Sequence, residues 1–333
     1  MGNLYKTYKT GILKLGTEKL FYKILNKKDF NLELKGYKAL SNHYPVPQLL
    51  STNKISEDSY CMLFEREISV GIEKGLLVDL FANKKKLDKK FFKIIKLYQK
   101  VFKKTLTQTK NISCHIFFSD RVNNRLPKYY NQVFLNKKFN FSLNGGKIDL
   151  KLEDVVNELR KYFKRKTFYW SVISQCDPSG LNIASLPVIF DYTAGGNVPL
   201  MAEFASLFWH QLFHENYLAL KYNPKAFNNH RAIYKKIDKV IMEGDKIVHI
   251  PMKLRMEFLE MYIKKVINPC FSKIGDYPDW FNDFKNFFVM RIIGVYNVSK
   301  MAKKDILLSL GYLSIFYYAK NIKKPEDLLE LID

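Results

Sequence analysis

From Ser171 to Gly196 the chain reads SVISQCDPSGLNIASLPVIFDYTAGG, which gathers Asp177, Asn182 and Asp191 into one short stretch. Two apolar runs, one around Ile183 and one over Val188 to Phe190, predict a small hairpin with Asn182 and Asp191 at its two ends. An amide and a carboxylate so placed are hard oxygen donors, the kind magnesium takes alongside phosphate oxygens. Asp177, five positions before Asn182, then faces the other side of a phosphoryl group, where a carboxylate can orient a hydroxyl and accept its proton.

A second constellation lies near the start. The region from Leu4 to Leu25 is broken at Thr10-Gly11 and Gly16-Thr17 and predicts three antiparallel strands; the third, Lys19 to Leu25, puts Phe21, Lys23 and Leu25 on one face. Asp29 is placed to cap a helix running to about His43, where Tyr44-Pro45-Val46-Pro47 forces an extended exit. On that helix Glu33, Tyr37 and Leu40 share a stripe, so a carboxylate as well as a lysine sits on an apolar side. Glu33 either snorkels to water from the stripe edge or pairs with Lys23, because an unpaired buried charge is costly.

The elements that hold these groups differ along the chain. A strand pair over Gln48 to Leu50 and Tyr60 to Phe64 closes a strand-rich part, and the remainder of the chain is mainly helical, which sets a boundary near Glu65 to Ser69. The helix over Leu87 to Phe102 carries Phe91, Ile94, Ile95 and Tyr98 on one side and solvated lysines on the other. Asn144-Gly145-Gly146 signals a hairpin within Phe139 to Leu150, and Leu152, Val155, Val156, Leu159, Tyr162 and Phe163 mark an amphipathic helix.

The order Asp177, Asn182, Asp191 resembles the catalytic loop and metal-binding aspartate of protein-kinase-like enzymes, and its surroundings are similar to the aminoglycoside phosphotransferase and choline kinase group. The stretch after Asp191, DYTAGGNVPLMAEFA, is similar to the family's turn into a helix with an acidic residue, and HYPVPQLL over His43 to Leu50 to its entry into the next strand. The resemblance implies an α+β, protein-kinase-like two-lobed fold: a small antiparallel-sheet N-lobe with one helix over residues 1–66, and a larger, mainly helical C-lobe over 67–333. It implies Asp177 as catalytic base, Asn182 and Asp191 as Mg2+ ligands, Lys23 as the phosphate anchor of ATP or GTP, Glu33 as its orienter, and Phe64, Glu65 and Arg66 as the backbone beside the base. The reaction implied is phosphoryl transfer to a hydroxyl of a small molecule such as a sugar, an amino-alcohol or an aminoglycoside-like compound. Gln175 stands where the family has histidine, and Thr10-Gly11 is the sole candidate for a glycine-rich loop. These departures motivate an alternative, a weak or inactive kinase-like binding protein.

Composition narrows the remaining classes. With 333 residues, 47% of them hydrophobic, the chain can bury the core of two lobes. Its 55 basic against 32 acidic residues give a net charge of +23, which raises a third reading, a basic nucleic-acid-binding protein. Lysine dominates over arginine and is spread along the whole chain, which argues against that reading and favours a neutral or anionic acceptor over a polycation. Cys61, Cys114, Cys176 and Cys270 lack CxxC spacing, the start has no apolar leader, and the apolar stretch Ile306 to Ala319 is too short to span a bilayer; a reducing cytoplasmic setting is expected. His210 and His214 lie one turn apart, but the segment lacks the acid and third ligand of a zinc site and is apolar nearly all round, so both are expected to be core or lobe-interface histidines. Asp120, Arg121 and Arg125 read as a surface loop, with anion binding as the alternative, and Tyr312, Phe316, Tyr317 and Tyr318 as helix packing.

Overall fold

The computed structural model describes residues 9–15, 17–65, 75–110 and 118–332. Strands β1 (Lys9–Leu15) and β2 (Glu18–Asn26), helix α1 (Lys27–Ser41), and strands β3 (Leu49–Lys54) and β4 (Ser59–Glu65) form the first region. The strands make an antiparallel sheet in the order β1-β2-β4-β3, with Lys23 opposite Met62. Thr10-Gly11 does not break this sheet. Gly11 continues β1 opposite Tyr22, whose hydroxyl would lie 2.5 Å from any Cβ at position 11, so the glycine makes room for a ring and does not turn the chain. Leu4 to Tyr8 and Gly16, part of the expected strand region, lie outside the described residues.

The cap of α1 is Asn26, not Asp29. The Asn26 side chain accepts from the Asp29 amide at 2.8 Å and donates to the Asp29 carboxylate at 2.7 Å, so the expected cap residue is its reciprocal partner one turn in. Phe30, Glu33, Gly36 and Leu40 form the buried face. At Gly36 the helix meets the backbone of Tyr192 so closely that a Cβ would sit 1.8 Å from its carbonyl oxygen.

The rest of the chain is dominated by helices. Among the described residues, α2 (Leu77–Asn83) and α3 (Lys89–Thr105) lead to β5 (Thr107–Lys110). The hairpin β6 (Lys138–Leu143) and β7 (Gly146–Lys151) turns at Asn144-Gly145, both with positive φ as a tight hairpin demands. Helix α4 (Leu152–Arg165), β8 (Phe168–Ser174) and β9 (Gly196–Pro199) follow, the last two joining β5 in a sheet of order β5-β8-β9. Helix α5 (Leu200–Trp209) runs directly into wider π-type turns over His210–Leu218. The hairpin β10 (Lys239–Glu243) and β11 (Lys246–Ile250) extends the other small sheet as β10-β11-β6-β7. Helices α6 (Lys253–Tyr262), α7 (Trp280–Val295) and α8 (Lys303–Tyr318) complete this part.

Every residue of α5 is buried, and most of α7 is, which is why neither shows a polar face. Phe204 and Phe208 interlock with Phe284, Phe288 and Phe316, with ring centroids 5.1 to 5.8 Å apart. The apolar stretch of α8 belongs to this core, and no helix among the described residues is long and apolar enough to cross a membrane. Cys61, Cys176 and Cys270 are free thiols; Cys114 lies outside the described residues.

Candidate active site

Strand β2 aims Lys23 at α1, where its ammonium bonds Glu33 Oε1. The other Glu33 oxygen accepts from the Thr193 hydroxyl at 2.6 Å, and that hydroxyl lies 3.2 Å from Asp191 Oδ1. Three segments far apart in sequence are thus tied through one buried carboxylate, Glu33, which is 1% exposed. Burial works against the Lys23 charge, but Glu33 and then Asp191 outweigh it, and its pKa is raised. For Asp191, burial first and then the carboxylates of Glu33 and Asp177 push the pKa up against the pull of Lys23.

The expected hairpin is present. Ile183 bridges Ile189, the Phe190 amide donates to Asn182 O at 2.9 Å, and the Ala184 amide to Val188 O at 2.8 Å. This brings Asn182 and Asp191 to facing ends. The Asn182 amide group donates to Asp177 O at 3.1 Å, which turns its carbonyl oxygen outward from that bond. Asn182 and one oxygen of Asp191 suit a divalent ion that takes its remaining ligands from phosphate and water. No cluster of three or more His, Cys, Asp or Glu able to hold a metal exists among the described residues.

Strand β8 ends at Ser174, and the chain reaches Asp177 through Cys176, whose φ of 63° is unfavourable for a residue with a Cβ. Arg291 of α7 holds that conformation: one guanidinium nitrogen bonds Cys176 O and the other reaches Asp177 Oδ1 at 3.2 Å. His210 Nε2 lies 2.9 Å from the same Oδ1. Asp177 Oδ2 has no hydrogen bond among the described residues, and the side chain is 37% exposed. Burial works to raise the Asp177 pKa, but Arg291 and His210 prevail and hold the carboxyl well below the usual range.

Beneath this loop lies a set of buried braces. Glu215 accepts from the Gly180 amide and from Arg255 at 2.8 Å, and Arg255 also donates to Gln211 at 2.9 Å. Gln175 donates to the Tyr98 hydroxyl at 3.0 Å, an anchor directed away from Asp177. Glu203 is fully buried; burial pushes its carboxyl up to about 7, with Ser174 and the Cys176 amide pulling it back.

Lys23, Glu33, Asp177, Asn182 and Asp191 are brought to one cleft. Phe64 is in β4, but its ring is buried against Tyr37 and Tyr192, 5.7 and 6.2 Å away, so only its backbone can face a ligand. The Glu65 amide is already given to Gln48 O at 2.9 Å, and Arg66 lies outside the described residues. His210 and His214 are buried, as expected, but His210 is more than filler: it is a direct partner of Asp177, and the histidine pair is the one sign of this in the sequence. Arg121–Arg125 is a helical turn packed on α7, with Arg125 donating to Gly294 O at 3.0 Å, and Arg121 acts on Asp177 electrostatically; it is not a surface loop. Thr193, unmarked in the sequence, is the link between the two constellations.

No family model matches the sequence, and no curated protein matches it. Solved structures do match in shape. A thermostable mutant of aminoglycoside phosphotransferase APH(4)-Ia, in ternary complex with ADP and hygromycin B, superposes with a TM-score of 0.51 at 8% identity, covering 96% of this chain and 93% of that one. A second mutant of that enzyme, in ternary complex with AMP-PNP and hygromycin B, gives 0.51 at 7% identity with the same coverage. At such identities the likeness concerns the fold, and the chain has the kinase-like fold of these phosphotransferases.

Proposed function

We propose that this protein is a small-molecule kinase that transfers the terminal phosphoryl group of ATP or GTP to a hydroxyl, using Asp177 as base. The observation that carries the proposal is the convergence of Lys23, Glu33 and Asp191, joined through the Thr193 hydroxyl, with Asp177, whose backbone oxygen takes the Asn182 amide at the facing end of the same hairpin. The fold supports the same reading, since the two solved structures it resembles were captured with ADP or AMP-PNP and hygromycin B. The nucleotide lies between residues 1–66 and 67–333, its base along the backbone of Phe64 to Arg66 and its phosphates toward Lys23.

The acceptor hydroxyl sits against Asp177 Oδ2. As its oxygen attacks the terminal phosphorus in line, its proton passes to Oδ2, the bond to the bridging oxygen breaks, and the nucleoside diphosphate leaves. Asn182 and Asp191 would hold a magnesium ion, which when bound would neutralise charge on the phosphates. Lys23 anchors the donor and Glu33 keeps Lys23 extended. The groups on Asp177 are cationic or neutral donors, Arg291 and His210, which favours a neutral or anionic acceptor over a polycation.

Calorimetric titration of ATP and GTP with and without magnesium tests the site. Binding that needs magnesium and is lost in Asp191→Ala supports it, as does loss of transfer with retained nucleotide binding in Asp177→Asn. Binding of neither nucleotide, or full transfer by Asp177→Asn, refutes the assignment.

A further inference from the structure

Behind Asp177 a line of side chains runs away from the cleft along the π-type segment. His210 Nδ1 lies 3.0 Å from His214 Nδ1, and His214 Nε2 lies 3.1 Å from the Tyr296 hydroxyl. Two ring nitrogens at that separation share a single proton, so the protonation of one imidazole dictates that of the other. His210 and His214 are 2% and 8% exposed, and Trp209 stacks on His214 with centroids 3.7 Å apart, so water does not decide the matter.

The arrangement can be solved from its inner end. Asp177, ionised beside Arg291, only accepts, so His210 Nε2 must carry a proton. Glu215 Oε1 lies 3.4 Å from His210 Nδ1 but already accepts from the Gly180 amide, and the cluster sets at most three carboxylates, Asp177, Glu203 and Glu215, against Arg121, Arg255 and Arg291, so a second proton on His210 would leave it with an excess cation. With His210 neutral its Nδ1 is an acceptor, and the shared proton sits on His214 Nδ1. Burial and the neighbouring His210 push the His214 pKa well down, in keeping with a neutral ring whose Nε2 takes the Tyr296 O–H.

We propose that Asp177, His210, His214 and Tyr296 form a one-directional hydrogen-bond chain whose order is set from the carboxylate outward: Asp177 demands Nε2–H on His210, His210 Nδ1 then accepts from His214 Nδ1–H, and the Tyr296 hydroxyl, able to donate or accept, gives its proton to His214 Nε2. His210 is then a positioning residue for the base, and Tyr296 closes the outer end of the chain. The placement of Asp177 as base rests on the kinase reading; the order of protons along the chain does not.

The test uses the full chain with 15N-labelled histidine and long-range 1H–15N correlation spectra, the signals assigned with His210→Gln and His214→Gln. His210 is expected as the Nε2–H tautomer and His214 as the Nδ1–H tautomer, the less common form in water. In Asp177→Ala, which removes the acceptor at the inner end and leaves Glu215 Oε1 3.4 Å from His210 Nδ1, Nδ1–H character appears on His210 and Nε2–H on His214, whereas Tyr296→Phe leaves both tautomers in place; His210→Gln lowers kcat for transfer about tenfold, one hydrogen bond's worth, at unchanged nucleotide KM. A doubly protonated His210, an Nε2–H His214 in the parent protein, or tautomers unmoved in Asp177→Ala overturns the proposal. Correct tautomers without phosphoryl transfer by the parent protein uphold the chain and refute Asp177 as a kinase base.

Discussion

Replacing Gly36 by alanine sets two effects of opposite sign against each other. Alanine is the better helix former by about 1 kcal/mol, so in an unencumbered α1 the change would stabilise the protein. Here the new methyl would stand 1.8 Å from Tyr192 O, a backbone atom that cannot rotate away, so α1 must withdraw by more than an ångström. Overpacking of this kind costs about 1–3 kcal/mol. Withdrawal also pulls Glu33, one turn earlier, from the Thr193 hydroxyl, and a hydrogen bond to a buried carboxylate is worth about 2 kcal/mol. Together these exceed the propensity gain, for a net loss of about 2–4 kcal/mol. Urea unfolding measures it as a lower midpoint at constant slope, and calorimetry should show weaker Mg-nucleotide binding because Lys23 follows Glu33. An alanine variant as stable as the parent, with unchanged nucleotide affinity, would refute the idea that α1 is seated on the Tyr192 backbone.

Thr193→Val keeps the shape and removes the hydroxyl, leaving one Glu33 oxygen buried without its donor; a loss of about 2 kcal/mol in urea unfolding, absent in Thr193→Ser, is expected. Arg291→Lys retains the charge but not the fork that spans Cys176 O and Asp177 Oδ1, and should cost about 1–3 kcal/mol together with a drop in kcat. Glu203, whose carboxyl titrates near 7 when folded against an ordinary 4.5, binds more protons folded than unfolded between those values, so its contribution falls as pH rises through that window. Between pH 5 and 8 the parent should therefore lose roughly 2–3 kcal/mol more than Glu203→Gln in denaturant titrations, and identical pH slopes would exclude a buried ionising Glu203.

What the sequence discloses and what it conceals divide along physical lines. Lys23 and Glu33 can be found because a charge on an apolar face demands a partner, and Asp177, Asn182 and Asp191 because their spacing around two apolar runs is local. The amphipathic helices and the Asn144-Gly145 hairpin are equally plain, being set by period and turn chemistry. The cap of α1 falls on Asn26 and not Asp29 although both residue types cap well, and only three positions separate the two choices. Thr193 is invisible, since its partner is 160 residues away in sequence. That His210 is buried can be read, but its contact with Asp177 cannot, because α5 is buried on all sides and an all-apolar helix gives no phase by which to tell a polar contact from packing. The β10–β11 hairpin has its own turn signal in Gly244-Asp245, but its parallel contact with β6 leaves no local sign, as nothing in Ser142 or Leu143 announces Lys246 and Ile247 across the sheet.

A free carboxylate can turn about its last bond and present either oxygen, so its two lone-pair edges are equivalent to an incoming alcohol. Asp177 has lost that symmetry, since Oδ1 is occupied from two directions by His210 and Arg291. On the proposed reaction, an acceptor with several hydroxyls would have to bring its reacting oxygen to one fixed edge while staying in line with a phosphorus held by other residues. Two neighbouring hydroxyls of opposite configuration cannot both satisfy that geometry, so the product formed on a chiral acceptor should be a single regioisomer.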